Sequence, residues 1–462
     1  MKVKLRLTGN QHASLCQHLL SADGNESVAI ALCGRRAGEK THALCVRRLI
    51  LISNNDCLVR SPNKVTWRTG GLPVIFEEAA SEGFAIVKIH SHPGGHREFS
   101  IKDDKSDMEL LAAAQSWTDS SLPHASAVIL PDGEMFGRWL TSDQRFNPIT
   151  TITVAGVDLK CWFAYDDKPC PAFADRVSQA FGIGTTERLA RLSVAVIGCS
   201  GTCSPVIEQL VRNGVGHLVL VDPDHVELNN LNRITFARMC DVGRLKVHAA
   251  ADWIASTGLG TAVDTIPLNL CDSQTIKHVA ECDVVIGCMD GSEGRYLLNK
   301  LATFYCLPYF DVGVRLDADG AGGIAQICGT VNYLQPDGSS FLSRKVLTME
   351  AVQSEGLKRT NPAAYASQVA SKYIRGVSED RPAVISVNMH YASLAVLELL
   401  ARLHSFRVDG NAQFSQFGSS LTDPRFEPMR SDGAACPVFS KHVGRGDVIP
   451  LLDSPYLSER AL

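Results

Sequence analysis

The stretch from Val194 to Arg233, VAVIGCSGTCSPVIEQLVRNGVGHLVLVDPDHVELNNLNR, constrains the fold of this chain more than any other. A β-branched run ends in Gly198, the chain turns through Gly201, an amphipathic segment begins at Ser204, and a second apolar run stops at Asp222. The order is strand, glycine turn, helix, strand. Such a unit belongs to α/β folds with a mainly parallel sheet, and it leaves the unpaired N–H groups and positive dipole end of the helix where a nucleotide phosphate can sit. An acidic residue closing the second strand, here Asp222, can accept a hydrogen bond from a ribose hydroxyl.

The glycine spacing is not that of an ordinary dinucleotide fingerprint, because G-x-G-x-x-G counted from Gly198 needs glycine at Ser200 and Cys203. What remains is Gly198, Gly201 and Ser204, followed by a D-x-D of Asp222 and Asp224 and an N-L-x-R segment with Asn230 and Arg233. Lys246 lies in the next helix, Asp290 ends DVVIGCMD, and Arg295 stands beyond it. In this order the residues resemble the ThiF/MoeB and ubiquitin-activating superfamily, with two of its turn glycines replaced. The resemblance implies a Rossmann-like adenylyltransferase that uses ATP and Mg²⁺ to activate the C-terminus of a ubiquitin-like or sulfur-carrier protein. It implies that Asp222 binds ribose, that Arg233 and Lys246 offset phosphate charge, and that Asp290 holds Mg²⁺. The alternative for Asp290 is a cap on the helix that follows. The resemblance also implies a homodimer in which an arginine of the preceding arm reaches the partner's ATP. Arg176 is the candidate, and its alternative is a surface arginine on a capping helix.

The first 145 residues read as a separate α/β domain. Strands are expected at SVAIALCG, HALCVRRLILI, FAIVKI, SAVIL and MFGRWL, the last two joined by a Pro-Asp-Gly turn. DKSDMELLAAAQSW has helical periodicity and an acidic start. Directly after the apolar run Phe84–Ile89 come His90, Ser91, His92 and Pro93, then Ser100 and Asp103. Alternate residues at a strand end project to one side, so His90 and His92 can grip one metal together. Asp103, at the helix start, completes three ligands and leaves a fourth position for water. The pattern H-x-H-x7-S-x2-D resembles the JAB/MPN (JAMM) metalloprotease family. That resemblance implies Zn²⁺, a glutamate base on an early strand, and a serine that helps hold the oxyanion. Glu26 is the expected base, with Glu77 and Glu78 as fallbacks, and Ser100 is the serine.

Residues 146–175 read as a linker with one small strand, which leaves 176–462 to the adenylyltransferase. A chain of 462 residues with a formal charge of −4 suits a few domains without the basic surplus of a nucleic-acid binder. It carries no apolar run of about 18 residues that would mark a membrane span. Fifteen cysteines, an odd number scattered through apolar runs, suit reduced thiols, and a cytoplasmic location is expected.

The chain departs from its resemblance in two places. Where many relatives hold a structural zinc with two C-x-x-C pairs, this sequence reads Ser340-Phe-Leu-Ser343 and Cys436-Pro-Val-Phe439, so no tetrathiolate zinc is expected. Ala351 to Ala435 also lacks the cysteine of a thioester-forming crossover, the nearest thiols being Cys306, Cys328 and Cys436. The resemblance taken whole implies a bifunctional enzyme that adenylates a ubiquitin-like protein and processes or deconjugates it. That would place it in a bacterial conjugation pathway with a separate conjugating enzyme, some such pathways serving phage defence. Sulfur transfer for cofactor, cysteine or natural-product synthesis is the alternative, and a non-catalytic scaffold that binds the small protein is the second.

Overall fold

The computed structural model describes residues 1–165, 171–319, 321–371, 382–423 and 434–457, and the backbone of 425–429. The chain forms two compact units, each built around one large sheet.

The first unit holds a nine-stranded mixed sheet. At its centre Val28–Ala37 runs antiparallel to both Thr41–Leu51 and Ala85–Ser91, and Ala85–Ser91 runs parallel to His124–Ile129. Alternation along Ala85–Ser91 sorts its side chains between two layers. Ala85, Val87 and Ile89 enter a core with Leu15 and Leu19 of the helix Gly9–Leu19. Ile86 enters another core with Phe76 of Leu72–Glu82 and Ala114 of Ile101–Trp117. Lys88 and His90 share the parity of Ile86, so they face the layer of the Ile101–Trp117 helix.

Residues 146–163 do not form the expected connector. Phe146–Pro148, Thr151–Ala155 and Leu159–Phe163 are strands of this sheet, and Thr151–Ala155 lies parallel to the unforeseen first strand, Lys2–Thr8. Burial on the sheet decides this, since all five residues Thr151–Ala155 are buried. Residues 166–170, also assigned to the linker, lie outside the described residues. The first unit also includes Thr303–Cys306 and His442–Pro455.

The second unit holds an eight-stranded sheet. Ala262–Ile266, His217–Val221, Ser193–Ile197, Val284–Gly287 and Tyr309–Ala318 run parallel in that spatial order, and antiparallel strands extend the far edge. The order reverses between Ser193–Ile197 and Val284–Gly287. That is the switch point at whose carboxyl end open α/β sheets bind ligands. Among the described residues no helix is long and apolar enough to cross a membrane.

Candidate functional site

In the first unit the fold brings His90, His92 and Asp103 together, with one ligand atom from each lying within 4.8 Å of the others. Nε2 of His90 stands 3.2 Å from Asp103 Oδ1, and Nε2 of His92 stands 3.6 Å from Oδ2. The two Nε2 atoms are 3.1 Å apart. His92 Nδ1 lies 2.9 Å from the His96 carbonyl, which makes Nδ1 the protonated nitrogen and leaves the Nε2 lone pair turned inward. Two imidazole nitrogens and a carboxylate so close, both histidines buried, form a donor set that suits a divalent cation of the zinc type.

Burial pushes Asp103 upward, but hydrogen bonds from His90, His92 and Ser100 outweigh it and hold the carboxyl below its ordinary range. Ser100 caps the helix Ile101–Trp117: its hydroxyl accepts from the Asp103 N–H at 3.2 Å and donates to Oδ2 at 2.7 Å. The oxyanion role expected of Ser100 therefore requires this hydroxyl to turn away from Asp103.

Glu26 is buried just ahead of Val28–Ala37. Burial raises its carboxyl to about 7, His92 opposing the rise and Asp103 adding to it. A carboxyl poised there beside the triad suits a general base. The fallbacks sit elsewhere: Glu77 is exposed and Glu78 pairs with Arg48. Sequence reasoning missed Arg60, which holds this segment in place by donating to the Glu26 carbonyl at 3.1 Å and the Ser27 hydroxyl at 2.8 Å.

In the second unit Gly198, Gly201, Asp222, Asp224, Arg233 and Lys246 gather at the turn that leaves the carboxyl end of Ser193–Ile197. Gly198 has φ +98°, a conformation glycine takes without strain. Gly201 packs so tightly that a Cβ would lie 2.5 Å from Asn388 Nδ2 and 2.9 Å from Arg233 Cδ. Ser204, fully buried, accepts from the Thr235 N–H at 3.1 Å and so ties the helix Cys203–Arg212 to the Arg233 loop.

Asp222 accepts from the N–H groups of Cys199 at 2.7 Å and Asp224 at 2.9 Å, so its carboxylate braces the turn itself. Burial raises its pKa, against the opposing charge of Lys246. Lys246 Nζ lies 2.9 Å from Asp224 Oδ2 and 4.0 Å from Asp222 Oδ1. Asn230 accepts from the Glu227 N–H, and Arg233 donates to the Asn229 carbonyl at 2.6 Å. Asp290 is exposed, three residues past Val284–Gly287, and its charge acts on Arg295. Arg295 in turn pairs with the buried Asp311. Arg176 lies exposed on Asp175–Phe181 and donates to Gln179 of its own helix at 3.1 Å.

Asn388 is the residue here that sequence reasoning missed, since it comes from the helix Ile385–Leu403, far along the chain. The positions of the two C-x-x-C pairs do converge, as a packed cluster: Ser340 Oγ lies 3.0 Å from Cys436 Sγ, the Ser340 N–H donates to Ser343 Oγ at 2.9 Å, and Phe439 is buried.

Comparison with known proteins places these sites in families. Residues 10–142 match the family described as prokaryotic homologs of the JAB domain, and residues 174–436 match the ThiF family. The SAMP-activating enzyme E1 of Haloferax volcanii is 32% identical over 154 residues, which cover 33% of this chain and 53% of that protein. The sulfur carrier protein adenylyltransferase of Thermus thermophilus is 33% identical over 122 residues, covering 26% and 45%. The adenylyltransferase and sulfurtransferase UBA4 of Meyerozyma guilliermondii is 31% identical over 129 residues, covering 28% and 30%. The match thus spans about half of these relatives or less. Among solved structures, E. coli MccB with ATP aligns over 58% of this chain and 74% of its own, at 18% identity and a TM-score of 0.44. With the family match running over more than half of its length and a JAB domain ahead of it, this chain belongs to the ThiF family.

Proposed function

We propose that the second unit uses ATP to adenylate the C-terminal carboxylate of a ubiquitin-like or sulfur-carrier protein, and that the first unit is a metal-dependent hydrolase acting on the same small protein. The observation that carries this reading is the group of Asp222, Asp224 and Lys246 beside the glycine turn at the sheet's switch point.

In the adenylation step the tail carboxylate attacks the α-phosphate of ATP and pyrophosphate leaves. Asp222, already fixed by two N–H groups, accepts from the ribose, and Gly198 and Gly201 let the backbone approach the phosphates. Lys246 and Arg233 oppose the charge that grows on the leaving pyrophosphate. Asp290 is assigned to Mg²⁺, and Arg176 to the partner's ATP in a homodimer.

In the first unit His90, His92 and Asp103 would hold zinc. Zinc bound there supplies Lewis-acid polarisation and lowers the pKa of water in its coordination sphere. Glu26 takes the proton from the attacking water and passes it to the leaving amine, while Ser100 keeps Asp103 aimed at the site.

The sequence Ala351 to Ala435 offers no cysteine for a thioester, which favours as the second reading the transfer of sulfur onto the acyl carbon of the adenylate, with AMP leaving. Conjugation, as in a bacterial ubiquitin-like or antiphage pathway, then requires another thiol. ATP–pyrophosphate exchange that depends on an added ubiquitin-like or sulfur-carrier protein with a diglycine tail tests the proposal. Exchange should appear with the tail and vanish when its terminal glycine is removed. No exchange with any such protein would leave a scaffold.

A further inference from the structure

We infer that Lys88, Asp107 and Arg138 are positioning residues for the metal site, fixing the Asp103 helix against the histidine strand so that one cation meets all three ligands. The inference rests on the reading of His90, His92 and Asp103 as that site.

Lys88 precedes His90 by two on Ala85–Ser91 and so shares its face, while Asp107 follows Asp103 by one helical turn on Ile101–Trp117. The strand and helix therefore meet in two rungs: the ligand pair above and, below it, Lys88 Nζ at 2.7 Å from Asp107 Oδ1. Ser106 Oγ accepts a further bond from Lys88 at 3.1 Å. Arg138, on Met135–Leu140, closes the lower rung through Asp107 Oδ2 at 2.8 Å and also bonds Asp104. Its guanidinium lies 3.8 Å from the ring centre of Phe99 and 3.9 Å from that of Phe146. Phe99 directly precedes Ser100, the cap that holds Asp103. One guanidinium thus grips residues 99, 104 and 107, on both sides of the ligand.

Stability alone does not call for this arrangement. Lys88, Asp107 and Arg138 have side chains 5, 0 and 9% exposed, and an apolar cluster of equal volume would serve the fold at least as well. What the charged cluster adds is direction. The buried residues of Ile101–Trp117 are Asp107, Leu111 and Ala114, so its first turns are fastened to the sheet through Asp107. Hydrogen bonds of fixed geometry set the rotation and register of that end, as a ligand on the first turn requires.

The test uses the purified full-length protein, zinc affinity from competition with a chelator, and the visible absorption of the cobalt(II)-substituted form. The triple swap Lys88→Met, Asp107→Leu and Arg138→Met, which leaves no buried charge of the cluster unpaired, should fold with an unreduced melting temperature. It should nonetheless bind zinc about 10–100-fold more weakly, and its cobalt band should lose intensity as Asp103 lets go. Arg138→Met should do the same. Parental affinity and an unchanged cobalt band in the folded variants would overturn the inference. If Arg138→Met does not fold, Arg138→Lys decides: it keeps the charge and loses the fork, so weaker binding supports the role and parental binding removes it. His92→Ala is the separate check on the site. If it binds zinc as the parent does, the metal reading fails and takes the inference with it.

Discussion

Gly198 and Gly201 survive in the altered turn for different reasons. Gly198 needs its positive φ, whereas Gly201 needs space, being wedged between Asn388 and Arg233. Neither Ser200 nor Cys203 takes a positive φ, and Cys203 buries its thiol with a contact of 3.4 Å to the Ile197 carbonyl. The two glycines the sequence lacks are therefore those this backbone does not need. Gly201→Ala should cost about 1–3 kcal/mol through overpacking and should weaken ATP binding, whereas Ser200→Gly should change the melting temperature little. Thermal denaturation with and without ATP separates the two. The wedge itself was not legible, because Asn388 arrives from a distant helix, while the acids and Lys246 were legible through their local spacing. Asp290 tests the chemistry at this edge: Asp290→Asn should lower ATP–pyrophosphate exchange by about 10²–10³-fold if its carboxylate anchors Mg²⁺. A normal exchange rate with a lower melting temperature would make it a helix cap.

At the scale of elements, strands with clean apolar runs were legible, and those whose partners lie far away in sequence were not. Lys2–Thr8 alternates basic and apolar residues as a solvent-facing strand would, yet it lies inside the sheet between Thr151–Ala155 and Thr41–Leu51, with Lys4 and Arg6 buried. Its neighbour Thr151–Ala155 reads from sequence only as the small strand of a connector, because the strand that pairs with it comes from the other end of the domain. The grouping of His90, His92 and Asp103 was legible because a strand end and a helix cap fix it within 14 positions of the chain.

His442–Pro455 extends the theme, since this segment joins the first unit across three close-packed glycines. A Cβ on Gly34, Gly444 or Gly446 would collide with backbone there. Asp447 pins the segment, with its carboxylate 3.4 Å from Arg36, 3.0 Å from the Ala37 N–H and 2.7 Å from the Tyr305 hydroxyl. Asp447→Ala should destabilise this unit by about 2–3 kcal/mol. Four of the five tryptophans, at 67, 117, 139 and 162, lie in the same unit, so urea denaturation followed by their fluorescence should show the shift. A parental midpoint would mean that the segment is held without its pin.

For the whole molecule, pH sensitivity should be set partly by a buried cationic cluster that the sequence did not disclose. Arg35 is buried with its guanidinium on the carbonyls of Pro123 at 2.6 Å and Gly83 at 3.2 Å, and it lies against two histidines, His42 at 3.4 Å and His124 at 3.2 Å. Burial, with Arg35 and Arg36 adding, lowers His42 to about 3. Burial, Arg35 and His42 lower His124 to about 3 as well. Both histidines stay neutral in the folded protein while the unfolded chain takes up protons below its ordinary value of 6.5. Between those limits the unfolded state holds more protons, so stability rises with pH and is lost as pH falls from about 6.5 towards 3. Each histidine contributes a slope of about 1.4 kcal/mol per pH unit within that window and nothing above it. Urea midpoints measured from pH 7.5 down to 4.5 should fall in the parent, and His42→Gln with His124→Gln should flatten that fall while leaving the dependence above pH 7 unchanged. An equally steep fall in the double variant would mean that carboxylates elsewhere, and not this cluster, govern the acid side.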